Sequence, residues 1–200
     1  MQSFAVTEND LNSLSEVFSK CISTSTVTAL STLLGEQIQY KMGKTRLLDI
    51  TELDELTPAF AEGVNMSAVY LKQTGDVNVG VLYYMPEKDG KKFAAKLLGK
   101  KRLDSFTKLS KSSLSETGNI LSGSFFNALS NEQGCSTSAD VPGFAVDTFR
   151  SLLEFPAMEI GIETQSLVAC TAEFSSLSGL KLRMLMILDP LNAKKLLEKH

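Results

Sequence analysis

Glu116 and Asn119 stand three positions apart in "SLSETGNILSGSFFNALS" (113–130), and Ser112 lies four positions before the glutamate. A carboxylate can pair with a cation. A carboxamide donates and accepts hydrogen bonds at once, so it can hold a water in a chosen orientation. At about 100° per residue, a helix over this stretch gathers Ser112, Glu116, Asn119, Gly123 and Asn127 on one face. Leu114, Leu121, Phe125 and Ala128 fall on the opposite face, with Leu129 at its edge. Residues three and four apart are neighbours on a helix surface, so Ser112–Glu116 and Glu116–Asn119 sit side by side. Each glycine in such a helix costs up to about 1 kcal/mol relative to alanine. That cost implies a gain elsewhere, in close packing or in access for a partner at Gly123. Glu-x-x-Asn also arises on helices by chance, and small residues also mark tight helix packing. The residues alone leave both readings open.

Little other chemistry is on offer. The single histidine is His200, and Cys21, Cys135 and Cys170 are odd in number, widely spaced and without a C-x-x-C pair. This argues against a disulfide framework, a zinc site and histidine acid–base catalysis. Cys21 and Cys170 sit in apolar surroundings and read as packing residues. Any enzyme here works with carboxylates, amides and hydroxyls. The 200 residues are 43% hydrophobic and 22% charged, with net charge −3, ordinary for a globular chain with a sizeable core. The balance shows no basic footprint for nucleic acid. No apolar run approaches the roughly 18 residues of a membrane span. "MQSFAVTENDL" turns acidic at once and lacks an apolar signal core, so the expected location is cytoplasmic.

The elements that position the motif come in two sets. "TALSTLLG" (28–35) and "NALSNEQG" (127–134) share A-L-S-x-x-x-G at an offset of 99. The same offset pairs Ser13 with Ser112, Gly80 with Gly179, and "AAKLL" (94–98) with "AKKLL" (193–197). The chain therefore reads as a duplication, about 8–99 and 107–200, joined by "KKRLDSFTK" and folded as one domain. Each half opens with a long amphipathic helix; Thr7 with Asp10 marks the first start. Half-buried strands follow at "VNVGVLYYM" and "LKLRMLM", and "MSAVYLKQTGDVNVGVLYY" reads as a hairpin turning at Thr74-Gly75-Asp76. "AEFSSLSGLKLRML" repeats that hairpin, and a short helix closes each half after Pro86 and after Pro190. "VPGFAVDTFRSLLEF" (141–155) reads as an extra helix. The fold class is layered α/β (α+β), internally duplicated, with a largely antiparallel central sheet and two pseudo-symmetric long helices.

The motif Ser112, Glu116, Asn119, continued by "GNILSGSFFNALS", resembles the signature of the CheC/CheX/FliY family of chemotaxis phosphatases, which is Ser or Asp, three residues, Glu, two residues, Asn. The resemblance covers the whole chain. The repeat, "AVYLKQTGDVNVGVLYYMPEKDGKKFAAKLLGK" and "VPGFAVDTFRSLLEF" resemble CheC rather than the shorter CheX. The family removes the phosphoryl group from the phospho-aspartate of the receiver CheY. The resemblance implies that Asn119 holds the attacking water and that Glu116 pairs with a receiver lysine, with Ser112 and Gly123 in support. It implies no cofactor on this chain, because the Mg²⁺ belongs to the receiver. Many family members carry a motif in each half. Here offset 99 places Val17 and Lys20 opposite Glu116 and Asn119. A slip of one residue recovers Glu16 but puts Ser19 in place of the amide. Neither register gives Glu with Asn, so the first site reads as degenerate, with Lys20 either an ordinary solvated lysine or a point charge for phosphate. The resemblance further implies a deamidase partner, CheD, bound through "VPGFAVDTFRSLL" with Asp147 as contact. The alternative reading is a non-catalytic adaptor that binds phosphorylated CheY or CheD. A switch-complex component akin to FliY fits less well, because no further binding domain follows the repeat.

Overall fold

The computed structural model describes residues 5–198, so His200 lies outside the described residues. The first long helix runs without a break as α1 (Glu8–Cys21), a π-helical turn (Ile22–Thr26) and α2 (Val27–Leu34). Strand β1 (Ile38–Asp49) follows, then two 3-10 turns (Ile50–Leu56 and Ala59–Ala61). The hairpin β2 (Asn65–Gly75) and β3 (Val79–Pro86) leads into α3 (Glu87–Leu97). The second half opens with α4 (Lys108–Gln133), continues through β4 (Thr137–Ala139), β5 (Gly143–Thr148) and α5 (Phe149–Gly161), and closes with β6 (Ser166–Ser176), β7 (Lys181–Leu188) and α6 (Pro190–Leu197).

Both long helices start and stop by the same local chemistry. The Asp10 N–H donates to Thr7 Oγ1 at 3.2 Å and the Thr7 N–H donates to Asp10 Oδ2 at 2.7 Å. Thr107 and Ser110 repeat this reciprocal cap at 3.2 and 2.8 Å. Gly35 and Gly134 end the helices in the left-handed region, at φ +66° and +71°, where glycine is unstrained.

The sheet order is β1-β6-β7-β3-β2, with β4 and β5 both on the outer edge of β2, and every pairing among the described strands is antiparallel. Exchanging β1 with β5, β2 with β6 and β3 with β7 returns the same order. The long helices, α3 and α6 cover one face. Leu14, Phe18, Leu121 and Phe125 pack there on Val79, Val81, Tyr83 and Met85. Helix α5 and the 3-10 turns cover the other, where Leu53, Phe149 and Leu153 meet Leu82, Tyr84, Leu185 and Ile187.

Three expectations need correction. β3 and β7 are not half-buried: they are central strands, and α5 and the 3-10 turns cover their second face, so Leu82, Tyr84, Leu185 and Ile187 are buried as well. The stretch 141–155 is not one helix. Residues Gly143–Thr148 pair with β2 as a strand, and helix begins only after the Thr148 cap. The offset between the halves is not constant. Thr7 and Thr107 stand 100 apart (107 − 7), Gly35 and Gly134 stand 99 apart (134 − 35), and β2 and β6 stand 101 apart (166 − 65). The Gly80–Gly179 match is fortuitous: Gly80 lies inside β3, and Gly179, at φ +83°, turns the β6–β7 hairpin.

Candidate functional site

Helix α4 sorts its residues as the wheel requires. Leu114, Thr117, Gly118, Leu121, Phe125 and Leu129 are buried, and Ser112, Glu116, Asn119 and Asn127 are exposed. Glu116 and Asn119 are thus adjacent on the outer face of a rigid 26-residue helix. No hydrogen bond or ion pair within the described residues engages either side chain, so both are free for a partner.

The two glycines do different work. A Cβ on Gly118 would come within 2.6 Å of Val69 Cγ1, so this glycine lets α4 settle onto β2. A Cβ on Gly123 would meet nothing within 4 Å, and Gly123 leaves open space beside the motif. The wheel singled out Gly123. The packing role of Gly118 is invisible to a helical wheel, because it depends on a strand about fifty residues away in sequence.

The π-helical turn decides between the two registers for the first half. A π turn holds one residue more than an α turn. The first long helix therefore carries one more residue between its caps than α4 does, and the extra residue sits at 22–26. N-terminal to it the offset is 100. Glu16 is then the counterpart of Glu116, Ser19 of Asn119 and Asn12 of Ser112, and the alternative with Val17 and Lys20 is set aside. Val17 is half-buried against the core. Ser19 is held by Tyr40 of β1, with its Oγ 3.2 Å from the phenol oxygen and its carbonyl accepting from the same phenol at 3.4 Å. Lys20 is neither free nor near the motif: it pairs with Glu132 of α4 at 2.6 Å.

Asp147 lies at the end of β5, not on a helix. It is exposed and accepts from the Thr148 N–H at 2.7 Å. Nearby, α5 turns Phe155 and Met158 outward, and Ile162 follows at its C-terminal end, with exposures of 67%, 47% and 60%. The three thiols are free and buried, and burial pushes Cys21 and Cys170 up to about 11, away from thiolate chemistry. No described helix is long and apolar enough to cross a membrane.

No protein-family model matches the chain. The CheY-P phosphatase CheC of Bacillus subtilis (strain 168) is 28% identical to it over 169 residues, which cover 80% of this chain and 79% of that protein. The chain is a CheC homologue. Its CheC-like fold is also that of Thermotoga maritima FliY, with a TM-score of 0.78 at 16% identity over 98% of this chain and 97% of the other. CheX of Borrelia burgdorferi, solved in complex with CheY, BeF3 and Mg²⁺, gives a TM-score of 0.56 at 20% identity over 86% and 96% of the two chains. At these identities the likeness to FliY and CheX is one of fold. The CheC-like chain carries its motif residues in the half whose long helix is regular throughout.

Proposed function

We propose that this CheC-like protein hydrolyses the phospho-aspartate of a CheY-type receiver, with one working site on α4. The observation that carries the reading is the pairing of Glu116 and Asn119 on one exposed turn, both without a side-chain partner among the described residues. The B. subtilis relative is a CheY-P phosphatase, which supports the same reaction here. The CheX relative engages a CheY that carries BeF3, a stand-in for the phosphoryl group, which supports a receiver as the partner.

Phosphoryl transfer asks a protein for positioning and charge stabilisation more than for covalent participation. The Asn119 amide accepts a hydrogen bond from a water and directs its oxygen in line with the acyl phosphate. The water oxygen bonds to phosphorus as the bond from phosphorus to the aspartyl oxygen breaks. The products are a free carboxylate and inorganic phosphate, which takes up the water's proton. Glu116 pairs with the receiver's lysine and fixes the approach. The Mg²⁺ that neutralises phosphoryl charge is held by the receiver. In the first half Ser19 offers only a hydroxyl, already engaged by Tyr40, so that face does not turn over.

The lifetime of phosphorylated CheY with and without this protein tests the reading. A shortened lifetime is expected. A lifetime unchanged at saturating protein overturns it and leaves a binding adaptor. The exposed Asp147, which lines one surface cleft with Phe155, is the feature that favours a second partner such as CheD.

A further inference from the structure

Between Glu87 and Lys111 the chain carries nine Lys or Arg against three Asp or Glu. That stretch has net charge +6 on a chain of total −3. It folds into an open groove of about 840 Å³ between α3 and the inter-repeat linker, lined by Lys88, Lys92, Lys100, Lys101 and Arg102 among others. Internal pairs account for part of the charge: Lys91 with Glu87 at 2.7 Å, Lys92 with Asp89 at 3.0 Å, Lys96 with Glu36, and Arg102 with Asp104 at 2.5 Å. Lys88, Lys100, Lys101, Lys108 and Lys111 are exposed and have no ion-pair partner among the described residues.

The linker that lines the groove leads directly into the motif helix. Phe106, at the end of the linker, packs on Phe144 at 5.1 Å and lies under Lys91 Nζ at 5.9 Å, immediately before the Thr107 cap. Lys108 is four residues before Ser112 and shares its face. At 1.5 Å per residue it stands about 12 Å along the axis from Glu116.

The corresponding position beside α1 and α6 has no such feature among the described residues. Residues 5–13, at the start of α1, contain Glu8 and Asp10 and no cation. Of the two lysines of α6, the counterpart of α3, Lys194 is paired with Asp10 at 2.6 Å. The groove, built from α3 and the linker, thus stands at the N-terminal end of α4, the helix with the amide, and not at the corresponding end of α1 among the described residues.

We propose that this groove docks the acidic rim around the receiver's phosphorylation site. The proposal rests on the phosphatase reading above. A receiver that holds Mg²⁺ must bring oxygen ligands, chiefly carboxylates, to its surface, and the phosphoryl group adds further negative charge. An interface of about 800 Å² per partner spans roughly 30 Å. A footprint centred on Glu116 and Asn119 then reaches Lys108 and Lys111, next to the linker that lines the groove. Opposed potentials at an interface rim speed encounter and fix register. The groove's linker leads into the motif helix on an otherwise acidic chain, which favours a receiver over a nucleic acid.

The test is the rate of phospho-CheY decay as a function of phospho-CheY concentration, at two or more salt concentrations. The proteins compared are wild type, Lys100→Glu/Lys101→Glu and Lys108→Glu. Lys41→Glu/Lys44→Glu, on exposed β1 residues at the opposite sheet edge, is the control. The groove variants should raise the half-saturating concentration about tenfold with the saturated rate within about twofold of wild type, and should flatten its salt dependence. The control should match wild type. If the groove variants keep the wild-type half-saturation and salt slope while decay is accelerated, the docking proposal fails and the phosphatase reading stands. If wild type neither accelerates decay nor binds CheY carrying BeF3, the phosphatase reading fails and takes this proposal with it. If the groove variants lose binding to a single-stranded oligonucleotide but keep wild-type receiver kinetics, the groove serves another polyanion and the proposal is overturned.

Discussion

Ser25 and Ser124 touch where the two long helices cross: their Oγ atoms are 2.5 Å apart, and Ser25 Oγ donates to the Ser124 carbonyl at 2.6 Å. The residues are 99 positions apart and occupy equivalent places in the two halves, so the local two-fold passes between them. Phe18 and Phe125 pack beside the crossing with ring centroids 5.7 Å apart. Both rings are fully buried, and truncating either costs about 3–5 kcal/mol. Glu116 and Asn119 project from the same helix one to two turns before this anchored point, which gives them a rigid base.

Asn119→Ala should lower single-turnover decay of phospho-CheY on the order of 10²-fold, as loss of one positioned polar group at a reacting centre does. Its exposed position predicts a stability change within about 0.5 kcal/mol. Glu116→Ala should weaken binding to CheY carrying BeF3 as well as turnover. Decay curves and a binding titration on the same preparations separate the two effects.

The glycines should part company. Gly118→Ala places a methyl 2.6 Å from Val69 Cγ1 and should destabilise the fold by about 1–3 kcal/mol. Gly123→Ala enters open space on a helix and should stabilise by up to about 1 kcal/mol, while crowding the receiver and slowing decay. Urea unfolding beside phosphatase assays gives both readouts.

Ser19→Ala and Lys20→Ala should leave decay near the wild-type rate, because neither holds the attacking water. Ser19→Asn puts an amide at the counterpart of Asn119 and should raise decay, at most about twofold for a second equivalent site. An Asn119→Ala background makes the gain easy to see, since any recovered activity then comes from the first helix.

Acid should weaken the start of α1. Lys194 and then Thr7 hold the Asp10 carboxyl down at about 2, below its ordinary 3.8. A lowered carboxyl contributes stability above its unfolded pKa and loses that contribution as pH falls through the folded value. Unfolding midpoints should therefore drop between about pH 4 and pH 2, and Asp10→Asn should flatten that part of the profile.

Features governed by neighbours in sequence were legible before the structure. Thr7 with Asp10 gave the helix start, the alternation in 77–85 gave a strand, and the spacing of Ser112, Glu116 and Asn119 gave a single exposed face. Features governed by distant partners were not. Gly143–Thr148 extends because β2 offers it an unpaired edge, and nothing within "GFAVDT" reports that edge. Gly118 looks like a helix weakness until Val69 is placed against it. The cationic groove was hidden for a different reason: a whole-chain charge of −3 averages away a local +6.

The wide turn at Ile22–Thr26 also bears on how such chains are aligned. An extra residue in a regular helix swings everything before it by about 100°. That would carry Leu14 and Phe18 out of the core. Looping the residue out within one broad turn leaves both ends in phase. An alignment that forbids gaps inside helices will therefore match either the motif positions or the C-terminal caps of the two halves, never both. Relatives lacking the wide turn will show the same one-residue step when aligned with this chain. Whether a second motif counts as kept or lost in such proteins then depends on opening the gap at this turn.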